Sequence, residues 1–267
     1  MFDTTVTIPA VFGDRPLLEG IRATGDLGVN AIEFFDWEAN DIEDVVAVCN
    51  DEGLSLAATL SAGGGSTVED HSAPAMTHPD CTDEVIEDLR RSIDTCERVG
   101  CPNLIATVGP DQNGIDRTVQ RENVVEILNT VAPHLENSGV TLVLEPLNTR
   151  VDHPEYFLTR SDEAFDIVTS VGSSNVAVLF DIYHQQITEG DVTRRLTDNI
   201  EHIGHVHIAD NPGRTEPGTG ELNYENIFAT LIDAEYDGYV GFEFIPEADP
   251  EDAVRHVTDI VRKYRGR

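Results

Sequence analysis

Lysine is almost missing from this chain. Of its 17 basic residues one is a lysine, Lys263, against 50 aspartates and glutamates, and the formal net charge is −33. Nucleic-acid binding draws its affinity from Lys and Arg meeting phosphates, so this balance argues against a nucleic-acid partner and against an anionic membrane surface. Cysteine is scarce too. Four occur, Cys49, Cys81, Cys96 and Cys101, and no two form a C-x-x-C pair, so neither a zinc knuckle nor a thioredoxin-type motif is expected. Cys49 and Cys96 fall on apolar helical faces and read as small core residues. No run of ~18 apolar residues appears, so no membrane span is expected. The opening MFDTTVTIPAVF has no basic region and no long apolar stretch, and the expected location is the cytoplasm. No G-x-G-x-x-G turn follows the first apolar run, which weakens an open dinucleotide-binding sheet.

What is present is a globular composition, 40% hydrophobic and 25% charged over 267 residues. Short β-rich runs alternate with helical patterns along the whole chain. Strands are predicted at residues 5–12, 31–35, 54–60, 103–108, 141–146, 176–181, 203–209 and 239–244. Asp83 to Val99 carries Val85, Ile86, Leu89, Ile93 and Cys96 at helical spacing, and Arg121 to Asn137 repeats the pattern. Gly100, Gly139 and Gly172 stand where helix stops belong, and Ser161 opens a further helix. Eight strands, each followed by a helix, predict one parallel (β/α)8 TIM barrel over residues 1–267, with an open doubly wound sheet as the rival. Residues 61–82, beginning near GGGST, read as a long, flexible loop and a candidate lid, with His71 or His78 as part of it. His71, His78 and His153 are expected to be exposed.

Barrel enzymes place their chemistry at the C-terminal ends of the strands. The fifth strand here ends in Glu145, the sixth in Asp181; the seventh carries His207 and the eighth Glu243. A carboxylate at one strand end is commonly a solvated cap. Four successive strands ending this way, each after an apolar run where an acid is costly unless paired, point to a shared cation. Three carboxylates and one imidazole suit Mn²⁺ or Mg²⁺, with Co²⁺ and Zn²⁺ as further occupants. His184 lies three residues after Asp181, where its N–H can face developing negative charge. Arg214 suits a substrate carboxylate, or equally a salt bridge to Glu216 or another acid. Glu216 either orients Arg214 or touches the substrate. Glu33 ends the second strand and reads as a hydrogen-bond acceptor behind the ligands.

The segments LEPLNTRVDHPEYFL, FDIYHQQITEGDVT, HVHIADNPGRTEPGTGELNY and GFEFIP resemble the hydroxypyruvate isomerase family, within the wider xylose-isomerase-like barrels. The likeness is densest from Thr141 to Pro246. It implies that Glu145, Asp181, His207 and Glu243 bind one divalent metal and that Glu145 and Glu243 double as the acid/base pair. It implies also that His184 touches substrate oxygens and that Arg214 holds an anionic end. The implied reaction converts hydroxypyruvate to tartronate semialdehyde, or a close homologue, through an enediolate. The chain departs from the pattern at His207, where hydroxypyruvate isomerases often carry Gln and ketose 3-epimerases carry His, so 2-oxo-tetronates and ketoses stay open as substrates. Endonuclease IV, a relative in the wider group, uses several metals and extra histidines at the third and fourth strands. Here those ends read Leu60-Ser61 and Thr107-Val108. Barrels of this family often pair, so the resemblance allows a homo-oligomer.

A carboxylate-coated, lysine-poor chain repels itself, and salt at 1 M shortens the screening length to ~3 Å. The sequence therefore points to a salt-rich cytoplasm. The midpoint of thermal unfolding is expected to rise steadily as KCl is increased from dilute to molar concentration, read by circular dichroism; a midpoint indifferent to salt contradicts this reading.

Overall fold

The computed structural model describes residues 1–247 and 249–265. Eight parallel strands close in chain order: β1 (Asp3–Thr7), β2 (Ala31–Phe34), β3 (Ser55–Leu60), β4 (Asn103–Ala106), β5 (Thr141–Leu144), β6 (Val176–Asp181), β7 (Ile203–Ile208) and β8 (Tyr239–Phe242). β8 returns to β1 with Thr4 opposite Val240, which seals the barrel. The helices are α1 (Ile8–Val11), α2 (Leu17–Thr24), α3 (Ile42–Asp51), α4 (Thr82–Val99), α5 (Arg117–Ser138), α6 (Ser161–Val171), α7 (Ile182–Thr188), α8 (Val192–Asp198), α9 (Tyr224–Asp233) and α10 (Pro250–Arg265). No helix among the described residues is long and apolar enough to cross a membrane.

Helical spacing translates directly into burial. Val85, Ile86, Leu89, Ile93 and Cys96 all lie on the buried face of α4, and Gly100 ends that helix at φ 72°, its N–H reaching the Cys96 and Glu97 carbonyls. A residue with a Cβ is strained in that left-handed conformation, which is why glycine serves as the stop. α5 starts at Arg117, earlier than its apolar pattern, because the Asp116 carboxylate accepts the Thr118 N–H and caps it. The expected strand over residues 5–12 divides in two. β1 ends at Thr7, and α1 follows with Pro9 in its first turn. Proline has no N–H to give a strand ladder, but the first helical turn needs none from it.

Strand alternation splits the core. Ala58, Ile105, Val143, Ala177 and Leu179 fill the barrel interior, with Phe35 and Leu60 against them. Their neighbours Leu104, Leu142, Leu144, Val178 and Phe180 belong to the larger layer between strands and helices. The 61–82 segment packs onto the barrel, and the GGGST stretch expected to be flexible is held by hydrogen bonds. The Gly65 carbonyl accepts the Thr107 N–H, and Gly64 N–H reaches Asp88. Ala75, Met76 and Thr77 are fully buried. His78 and His153 are partly covered instead of exposed, and the His153 ring lies 5.4 Å from that of His184.

Leu179 is fully buried in the barrel interior. Leu179→Ala should cost ~2–5 kcal/mol, the range for an interior leucine deletion. Urea titration is expected to show a lower midpoint with unchanged slope.

Candidate active site

Parallel closure brings the strand ends together. Ligand atoms of Glu145, Asp181, His207 and Glu243 all lie within 4.8 Å of one another, and the four residues are buried. Register sets this meeting: Asp181 pairs with His207, which pairs in turn with Gly241, two residues before Glu243. Asp181 divides its carboxylate. Oδ1 accepts the Tyr183 and His184 N–H groups at 2.7 and 3.2 Å and caps α7, while Oδ2 turns toward the cluster.

A cation fits this donor set. Metal–oxygen and metal–nitrogen bonds of ~2.0–2.2 Å place opposed ligands ~4 Å apart, matching the cluster's span. His207 Nδ1 is buried without a hydrogen-bond partner, 3.4 Å from Glu243 Oε2 and 3.9 Å from Glu145 Oε1. Such an unpaired nitrogen among carboxylates has the chemistry of a cation ligand. Behind it, Glu33 accepts from His205 Nε2 at 3.0 Å and from His207 Nε2 at 2.8 Å.

The environments drive these acids apart. Burial, then the charge of Glu243, pushes Glu145 up to about 8, and the same two causes lift Asp181 to about 6. Burial also works to raise Glu243, but Arg214 and then His207 overturn it and hold that carboxyl well below its usual range. Burial would likewise strip the proton from His207; Glu33 and Glu243 outweigh it and hold the imidazole well above its ordinary value. Glu33 is kept ionised, down at about 2, because His205 and His207 outweigh its desolvation. Pairs of titratable groups pushed in opposite directions mark acid/base assignments.

His184 is buried and held neutral, first by desolvation and then by the nearby Arg214 charge. Its Nδ1 faces the Asn148 backbone N–H at 3.3 Å and the Asn148 side-chain amide at 2.7 Å. Nδ1 therefore accepts, and Nε2 carries the proton. That Nε2 has no hydrogen-bond partner and lies 3.6 Å from Asp181 Oδ2.

Arg214 Nη2 lies 2.6 Å from Glu243 Oε2 and 3.9 Å from Asp181 Oδ2, and its guanidinium sits over the Tyr183 ring at 5.4 Å. Its backbone is left-handed at φ 56°, a strained setting for a side-chain-bearing residue and a common one at functional positions. Asp210 holds the surrounding loop. Its carboxylate accepts N–H groups from Asn211, Gly218 and Leu222. Glu216 is buried and its Oε2 accepts the Glu247 N–H at 2.9 Å, so it ties this loop to the segment after β8. Arg214 and Glu243 line a cavity of about 570 Å³ with Phe12, Arg15, Phe35 and Ile245. A volume in that range suits a small molecule.

Sequence reasoning overlooked three of these residues. Asn148 and Asp210 act through hydrogen bonds that no spacing announces. His205 stands two before His207 on the same strand face, and that period was a usable signal.

The profile of the xylose isomerase-like TIM barrel family matches residues 21–264, and the chain belongs to that family. The resemblance read from its motifs is thereby borne out. The chain is 29% identical over 258 residues to the hydroxypyruvate isomerase of Escherichia coli, covering 96% of this chain and 98% of that one. It is 32% identical over 238 residues to the 2-oxo-tetronate isomerase of Cupriavidus necator, covering 89% and 90%. A crystal structure described as an AP endonuclease of family 2 from Brucella melitensis superposes with a TM-score of 0.86 at 29% identity, over 95% of this chain and 97% of that one. An L-ribulose 3-epimerase shares the fold, with a TM-score of 0.83 at 21% identity over 100% and 96%.

Glu145 and His207 are both pushed toward their protonated forms, and a ligand must shed its proton to bind. Divalent-ion binding is therefore expected to release protons at pH 7 and to tighten as pH rises toward about 8. Calorimetry with Mn²⁺ in buffers of different ionisation heat reads the proton count; a heat independent of buffer contradicts it.

Proposed function

We propose that this protein is a metal-dependent isomerase acting on a small hydroxy-keto acid, with hydroxypyruvate or a 2-oxo-tetronate as substrate. The observation that carries the reading is the convergence of two glutamates of opposite proton affinity on one cation-sized cluster, beside a half-buried arginine. Relatives named hydroxypyruvate isomerase and 2-oxo-tetronate isomerase, matched over most of both chains, support an acid substrate.

Glu145, Asp181, His207 and Glu243 hold the ion, Mn²⁺ or Mg²⁺ by the hardness of the three carboxylates. The ion supplies Lewis-acid polarisation of the substrate's carbonyl and neighbouring hydroxyl. Glu145 and Glu243 share the proton transfer: one removes a proton from the hydroxyl-bearing carbon, the other returns one to the former carbonyl carbon, and the hydroxyl proton passes to the former carbonyl oxygen. The His184 Nε2–H donates to the oxygen that gains charge along the way. Arg214 takes the substrate carboxylate in its fork of donors, and an arriving anion draws it from Glu243, freeing that oxygen. Glu216 keeps the Arg214 loop in place.

A neutral ketose is the second reading, favoured by His207 and by the shared epimerase fold. It has no carboxylate to use Arg214. The nuclease reading loses ground at the third and fourth strands, whose ends carry Ser61 and Thr107 in place of nitrogen ligands, and at a net charge of −33.

Kinetics of the Mn²⁺-loaded protein in concentrated salt separate these readings. Glu145→Gln is expected to cut kcat by roughly 10²–10⁴. Arg214→Ala is expected to raise KM for hydroxypyruvate by about 10- to 100-fold, the ~1.5–3 kcal/mol of a charged hydrogen bond. An unchanged KM eliminates the acid substrate, and full activity in the glutamine variant eliminates the role given to Glu145.

A further inference from the structure

We propose that Glu33 is a positioning residue for the cation site: it locks the His207 ring so that Nδ1 alone is offered to the ion. This rests on reading the four strand-end residues as cation ligands.

Glu33 lies on β2, separated from β7 by β8 and β1, and contributes none of its atoms to the four-ligand cluster. It is fully buried, as is His205, and His207 is nearly so. One carboxylate serves both imidazoles, Oε1 accepting from His205 and Oε2 from His207. The two rings stand edge to face at 83°, 4.9 Å apart, so each approaches its own oxygen. An ionised carboxylate only accepts hydrogen bonds, so both Nε2 atoms must carry protons. The one proton that His207 keeps when it serves as a ligand is thereby fixed on the side away from Glu145, Asp181 and Glu243. Its Nδ1, which has no hydrogen-bond partner, faces them. A histidine ligand whose second nitrogen donates to a carboxylate is both oriented and made more basic.

The fold makes room for this arrangement. A Cβ on Gly241 would lie 2.4 Å from Glu33 Oε1 and 2.7 Å from His207 Cδ2. A side chain on β8 at that point would push the carboxylate off the rings. Glu33, His205 and His207 are also close enough together to invite a second cation. Their contacts of 2.8 and 3.0 Å, one nitrogen to one oxygen each, are those of N–H···O bonds, and protons satisfy them.

Glutamine has the shape of Glu33 but only one accepting oxygen. With Glu33→Gln, two imidazoles that each need an acceptor cannot both be served, and the ring left facing the amide NH₂ must move its proton to Nδ1. Mn²⁺ titration followed by electron paramagnetic resonance is expected to show affinity reduced by about 10- to 100-fold, with near-ultraviolet circular dichroism unchanged. Equal affinity in wild type and variant overturns the proposal. Should the variant fail to fold, ¹⁵N spectra of histidine-labelled wild type with Zn²⁺ decide: His207 protonated on Nε2 and bound through Nδ1 supports it, and ligation through Nε2 overturns it. A wild-type protein that binds no Mn²⁺ removes the cation site itself, a failure distinct from an intact site indifferent to Glu33.

Discussion

Three carboxylates cannot be gathered inside a water-poor barrel mouth unless positive charge comes with them. An unpaired ionised acid in such a setting costs several kcal/mol even after the protein relaxes. The chain answers with an alternating series: Glu33, His207, Glu243 and Arg214 follow one another at contacts of 2.8, 3.4 and 2.6 Å. Each sign is flanked by its opposite. Glu145 and Asp181 stand beside that series with less compensation, and their proton affinities rise accordingly. The deep members, Glu33 and His207, are set in strands separated by β8 and β1, so the polar chain also ties β2 to β7. Arg214, at the outer end, is the member most open to solvent.

Much of this was legible in the residues. Short, β-rich apolar runs matched seven of the eight strands nearly to their ends, because these strands are buried on both faces and leave an almost uninterrupted hydrophobic mark. The first run misled because VTIPAVF is apolar in either conformation, and only the proline at position 9 separates strand from helix. The four converging side chains were found as strand ends, which barrel geometry turns into neighbours. The environments of those side chains were not legible. That Asn148 sets the His184 tautomer, that Glu216 spends an oxygen on the Glu247 backbone, and that residues 61–82 lie packed against β4 and α4 are facts of tertiary contact, and local sequence carries no period for them.

The acidity of the chain and the acidity of the site have separate origins. Surface acids such as Glu43 and Asp44 on α3 and Asp83 and Glu84 on α4 sit in first helical turns, where the helix dipole favours them. The interior acids are few, individually compensated and placed by strand register. A mutational change in the first group alters solubility and salt response; a change in the second alters chemistry.

Asp210 draws both ends of the segment from Asn211 to Leu222 onto a single carboxylate. That segment is clipped to the end of β7 and tied to the stretch after β8 through the Glu216 carboxylate and the Arg214 carbonyl, which accept the Glu247 and Ile245 N–H groups. Because the Asp210 bonds do not involve the guanidinium, a change of charge or reach at position 214 leaves that clip in place.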